Sequence, residues 1–155
     1  MDLDTWAETV PKSVRESSLR RVRACQFGLY LTAMAMRDAE VAMRDPRLGE
    51  STPQLVKSAG SIPANVSEGY SRRSRSDRIR FYEYALGSAN ETQSWYLGAI
   101  DVLGEDQTTP RLEYLTRVRQ LLLVMIRNER NGTTWGSGRP IPKPPSNQPG
   151  PQRTS

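Results

Sequence analysis

The chain has 155 residues, enough for one domain with a core of its own. It carries 36% hydrophobic residues, a net charge of +5, one cysteine and no histidine. Those totals exclude an internal disulfide, remove the commonest general base and metal ligand, and leave a basic balance that suits a polyanionic partner.

Residues 1–17 open with MDLDTWAETV, which is acidic and lacks an apolar centre. The stretch reads as an N-terminal extension and not as a secretory signal, so the expected compartment is the reducing cytoplasm. The first long segment, Ser18 to Arg44, is apolar around Ala24 to Met36. It is too short to span a bilayer and is broken by Gln26, Gly28 and Thr32. Cys25 lies inside it and reads as a small core residue.

After the break at Asp45-Pro46, the pair Thr52-Pro53 reads as a helix cap followed by proline at the first helical position. The second segment then runs to about Tyr70 by its spacing, with Ile62, Val66 and Tyr70 four residues apart. Pro63 falls inside that pattern. It removes a helix hydrogen bond, frees the carbonyl of Ala59 and predicts a bend there. Gly60, Ser61 and Ala64 are small enough for a neighbouring helix to approach closely. Lys57, Ser61, Asn65, Glu68 and Arg72 share one face. Two readings of that face stand: Ser61 and Asn65 satisfy the backbone around the proline while Glu68 pairs with Arg72, or the face meets a partner.

Ser74 with Asp77 three residues on reads as a capping box for the third segment. Ile79, Tyr82, Leu86, Ala89, Gln93, Tyr96, Ile100 and Leu103 recur at helical spacing. Phe81, Ala85, Ser88, Thr92, Trp95, Ala99 and Val102 run beside them. Together they predict one helix of about eight turns, ending at Gly104. The fourth segment is predicted to start at Thr109-Pro110 and stop at Asn131-Gly132. It carries Leu112, Leu115, Val118, Leu121, Leu122, Met125 and Ile126, and is apolar nearly all round. Residues 132–155 hold six of the eleven prolines and three of the net positive charges, at Arg139, Lys143 and Arg153. Such a tail is expected to be disordered, with polyproline character.

No strand pattern stands out. The expected fold is all-α: an antiparallel up-down-up-down four-helix bundle over residues 18–131, preceded by the extension and followed by the basic proline-rich tail. The apolar surplus on the first and fourth helices points to a homo-oligomer.

Arg72, Arg73, Arg75, Arg78 and Arg80 crowd into nine positions across the link between the second and third segments. Cations at a helix start oppose the helix dipole, so they are a poor choice for stability alone. They make a good anion site, because guanidinium groups and free helix N–H groups converge there. RNA or DNA held through phosphates is the expected ligand, with no aromatic residue interleaved among the arginines to stack on bases. The competing readings are solubilising charge and an acidic protein partner.

SIPANVSEG followed by FYEYALGSANE resembles the bacterial four-helix-bundle family first noticed in intervening sequences of large-subunit ribosomal RNA genes. The matching positions are Ser61, Ile62, Pro63, Asn65, Glu68, Gly69, Phe81, Ala85, Gly87, Ser88 and Glu91. Val66 and Ser67 depart from the usual Ile-Ala. The resemblance implies a four-helix bundle. Through relatives that are accessory variability determinants of diversity-generating retroelements, it also implies a homopentamer that binds nucleic acid and a reverse transcriptase. Catalysis is not expected. A di-metal bundle site needs Glu-x-x-His pairs, the chain has no histidine, and Glu68, Glu83 and Glu91 are dispersed. Neither a cofactor nor a metal is implied, and a membrane is not an expected partner.

Overall fold

The structure, a computed structural model, describes residues 2–19 and 22–132. These residues form seven helices and no strand. Two short helices, α1 (Leu3–Glu8) and α2 (Lys12–Arg15), precede α3 (Arg23–Ala42). Then follow α4 (Thr52–Ser71), α5 (Arg75–Gly98), the single turn α6 (Ile100–Leu103) and α7 (Glu105–Asn131). The predicted proline-rich tail lies outside the described residues beyond Gly132.

The four long helices pack in a closed ring, α3 on α4, α4 on α5, α5 on α7 and α7 on α3. Side-chain pairs fix the directions. Thr32 meets Ala59 and Cys25 meets Ser67. Ser58 meets Thr92, and Gln93 meets Arg119. Phe27 meets Tyr114 while Asp38 meets Arg111. The enclosed core holds Leu31, Ile62, Val66, Ala85, Tyr96, Leu115, Val118 and Leu122, all with no more than traces of exposure. All four long helices contribute to the core, and the apolar run of the first segment supplies more of it than any other.

Pro63 sits inside α4, as its sequence pattern requires. The carbonyl of Ala59, left without its helix donor, lies 3.1 Å from the Thr32 hydroxyl of α3. That hydroxyl also lies 2.8 Å from the carbonyl of Gly28, so one proton serves both acceptors. The close approach comes from α3, from a residue the sequence reading had treated as an interruption. A Cβ on Gly28 would stand 3.1 Å from both Ile62 Cγ2 and Pro63 Cδ. At Gly60, by contrast, a Cβ would meet only Thr32 Cγ2, at 3.8 Å.

Two helix ends agree with expectation and three differ, the first at α4, which starts at Thr52 itself: its hydroxyl donates back to Leu48 O at 2.8 Å and caps nothing. Ser74 caps α5 by accepting from the Asp77 amide at 3.4 Å. Gly132 closes α7 in the left-handed region, φ 77°. The predicted eight-turn third helix, however, stops at Gly98, and Ala99 (φ −98°, ψ 1°) turns the chain into α6. The fourth helix starts at Glu105, ahead of Thr109-Pro110, because Gly104 (φ 84°) makes the reversal by itself. Pro110 then falls in the second turn, where it removes a single bond near the helix end. The N-terminal extension also carries structure: Trp6 of α1 lies edge-on to Tyr30 of α3, centroids 5.8 Å apart, and Leu3 packs against the core.

Candidate nucleic-acid interface

The arginine-rich link is a three-residue turn between α4 and α5, with Arg72 as the last cap of one helix and Ser74 as the first cap of the next. The turn brings the five arginines to one end of the molecule and then gives them different roles. Arg78 points inward. It donates to the carbonyls of Arg72 and Arg73, at 3.1 and 2.8 Å, and to Glu129 of α7 at 3.0 Å. Its side chain is 13% exposed and that of Glu129 only 6%. Arg78 therefore ties the turn to α7, and its expected place among solvent-facing cations is corrected. The reason is geometric: its position on α5 faces the C-terminal turn of α7, where a buried carboxylate waits.

Arg72 pairs with Glu68 one turn back, and Arg80 pairs with Asp77 at 3.0 Å. Both side chains are about half exposed, and exposed pairs of this kind hold their partners weakly. The two guanidinium groups also flank one ring. Arg72 lies 5.0 Å and Arg80 5.6 Å from the centroid of Phe81. Arg75 lies beside Gly132, its Nη1 3.4 Å from where a Cβ would stand, at the negative end of the α7 dipole. Arg73 is exposed and has no carboxylate partner among the described residues.

Sequence reasoning missed the aromatic side of this site. Phe81 and Tyr84 follow the arginines in the chain, yet one helical turn carries them back beside the guanidinium groups. Tyr84 meets Phe81 edge-on at 5.8 Å and 87°, and is 53% exposed. The spacing of Arg80, Phe81 and Tyr84 on a helix was the available signal. Just beneath, Tyr82 is buried against Gly69, where a Cβ would come within 2.7 Å of Cε1. Burial first, and the Glu129 charge second, push the Tyr82 hydroxyl up to about 12.

The other motif residues serve the backbone locally. Ser61 donates to Lys57 O and Asn65 to Ser61 O, at 2.9 and 2.8 Å. With the Glu68–Arg72 pair, this is the structural reading of the α4 polar face. Ser88 donates to Tyr84 O at 3.0 Å, and Glu91 accepts from Trp95 Nε1 at 3.4 Å. Gly87 faces open space.

The opposite end of the molecule holds a second polar cluster that the sequence did not announce. Asp38 of α3, 1% exposed, accepts from Tyr96 at 2.8 Å, Gln107 at 2.5 Å and Arg111 at 3.0 Å. Burial, reinforced by the Asp38 charge, drives the Tyr96 hydroxyl far above the ordinary tyrosine range. Among the described residues, no three His, Cys, Asp or Glu side chains gather as metal ligands, and no helix is long and apolar enough to cross a membrane.

Fold and site together define a class: a small all-α protein with four exposed arginines gathered at one interhelical turn. The chain belongs to the 23S rRNA-intervening sequence protein family, whose model matches residues 40–123 from the end of α3 into α7. That span includes the whole arginine turn. The fold is similar to the crystal structure of a protein of unknown function from the S23 ribosomal protein family of Bacteroides thetaiotaomicron. The TM-score is 0.63 and the identity 24%, over 67% of this chain and 98% of that one. No curated protein matches the chain.

Proposed function

We propose that this protein is a non-catalytic, up-down-up-down bundle that binds RNA or DNA at the α4–α5 turn, through phosphates and with little base specificity. The observation that supports the reading is the state of the arginines there. Among the described residues Arg73 has no carboxylate partner, and Arg72 and Arg80 have only exposed ones that a phosphate can displace. The chain assembles as a homo-oligomer, which would repeat the site. Exposed Met36, Met43 and Leu123 supply apolar surface for it, and the count of five comes from the resemblance alone. Partnership with a reverse transcriptase rests on the same resemblance.

Gel-shift titrations at several salt concentrations test the proposal. Replacing Arg72, Arg73 and Arg75 by alanine should weaken binding equally for unrelated sequences. It should also flatten the salt dependence by roughly one unit per lost phosphate contact. Binding that survives with an unchanged slope would move the site elsewhere.

A second reading is a protein-only scaffold, favoured by the same exposed methionines and Leu123. Failure of the unsubstituted protein to bind any nucleic acid, with oligomers still seen by light scattering, would select it.

A further inference from the structure

We infer that the α4–α5 turn takes its nucleic acid single-stranded, with an unpaired base stacked on Tyr84, a reading that rests on the polyanion binding proposed above. A site that only grips phosphates has no use for aromatic faces. This one is built around them. The Arg72 and Arg80 guanidinium groups lie 5.0 and 5.6 Å from the Phe81 ring centroid, and Tyr84 stands edge-on to Phe81. Arg72 pairs with Glu68 and Arg80 with Asp77, and both arginine side chains remain about half exposed.

Tyr84 adds nothing to the core, since half of it faces solvent. A lone exposed aromatic needs no explanation. An exposed ring braced by a second ring, with two guanidinium planes beyond it, is a stacking surface for a base and its neighbour. Gly87, one turn along α5, has no heavy atom within 4 Å of a Cβ position, so the flank of Tyr84 is open to a planar group. The nearest acid in sequence, Glu83, pairs with Arg130 at 2.6 Å, so it stands in the site with a cation beside it. Arg73 supplies the unpaired cation for the backbone of the same strand. A duplex hides its base faces and offers only phosphates, so it would engage the arginines and leave Tyr84 unused.

Three probes separate the possibilities: a single-stranded RNA carrying 2-aminopurine, the blunt duplex of the same sequence, and heparin. The unsubstituted protein should bind the single strand about tenfold more tightly than the duplex and quench the 2-aminopurine emission. Tyr84→Ala should lose both the preference and the quenching, while its heparin and duplex binding, salt slope and melting temperature stay unchanged. Tyr84→Phe keeps the ring and should behave as the parent. Equal affinity for strand and duplex in the parent, or a preference that survives Tyr84→Ala, overturns stacking while leaving phosphate binding intact. Binding to none of the three probes, heparin included, overturns the polyanion reading and the stacking with it.

Discussion

The two ends of the molecule use the same chemistry, arginine against carboxylate, in opposite ways. At one end Asp38 and Arg111 are buried with Tyr96 and Gln107, and every oxygen of the aspartate is engaged. At the other, Arg72 and Arg80 pair with Glu68 and Asp77 in the open, and only Arg78 with Glu129 is sheltered. Burial decides the difference. A desolvated pair cannot lose one member without leaving an uncompensated charge, so it fixes structure. An exposed pair exchanges cheaply with water, salt or phosphate, so it remains available to a ligand. Charge counted along the chain does not distinguish the two.

The largest expected effect lies at the buried end. Asp38→Ala should destabilise the protein by about 3–5 kcal/mol, because Arg111, Tyr96 and Gln107 lose their common acceptor. Thermal melts check this, and a loss below about 1 kcal/mol, the level of an exposed pair, would erase the contrast between the ends.

Within the basic end, Arg78 and Arg73 sharpen the comparison. Arg78→Ala should cost about 3 kcal/mol, since it leaves the sheltered Glu129 carboxylate without its partner. Arg73→Ala should leave the melting temperature alone and lower the salt slope for RNA binding by roughly one unit. Paired melts and titrations decide it; reversed outcomes would mean that the roles of the two arginines are exchanged.

At neutral pH the smallest effect is that of Tyr82, which shows only in alkali. Tyr82 at the basic end is pushed up to about 12, and Tyr96 at the buried end is raised further. An unfolded tyrosine loses its proton near pH 10 while the folded one keeps it, so the unfolded state binds fewer protons and stability falls as pH rises. For Tyr82 the fall begins near its unfolded value of about 10 and ends near about 12. The slope is about 1.4 kcal/mol per pH unit per proton, and Tyr82→Phe should remove one such contribution. Urea titrations across that range measure it, and equal slopes in parent and variant would show Tyr82 to be exposed to water.

Much of this was legible in the residues. The helix from Thr52 to Ser71 with Pro63 inside it, the Ser74–Asp77 cap and the Gly132 stop all follow from local spacing and backbone preference, which neighbours along the chain express without help. So did the pairing of Glu68 with Arg72, one turn apart on a single helix. What runs across helices was not legible. Gly28 read as a flaw in an apolar run, and only the packing of α3 against Pro63 makes it the point of closest approach. Asp38 belongs to no motif, and only the convergence of α5 and α7 makes it the centre of a buried network. The break at Gly98–Ala99 was hidden because the apolar pattern continues through it into α6.

The sequence by itself determined that the chain is helical, where most long helices run, and that cations gather between the second and third of them. Periodicity, caps and prolines are local, and each carries its instruction within a few residues. Which of those cations is free was decided only by the tertiary structure. Arg78 and Arg73 lie five residues apart in the same basic run. One meets the buried Glu129, more than fifty positions away in sequence, and the other meets water, because desolvation depends on what the rest of the chain brings alongside.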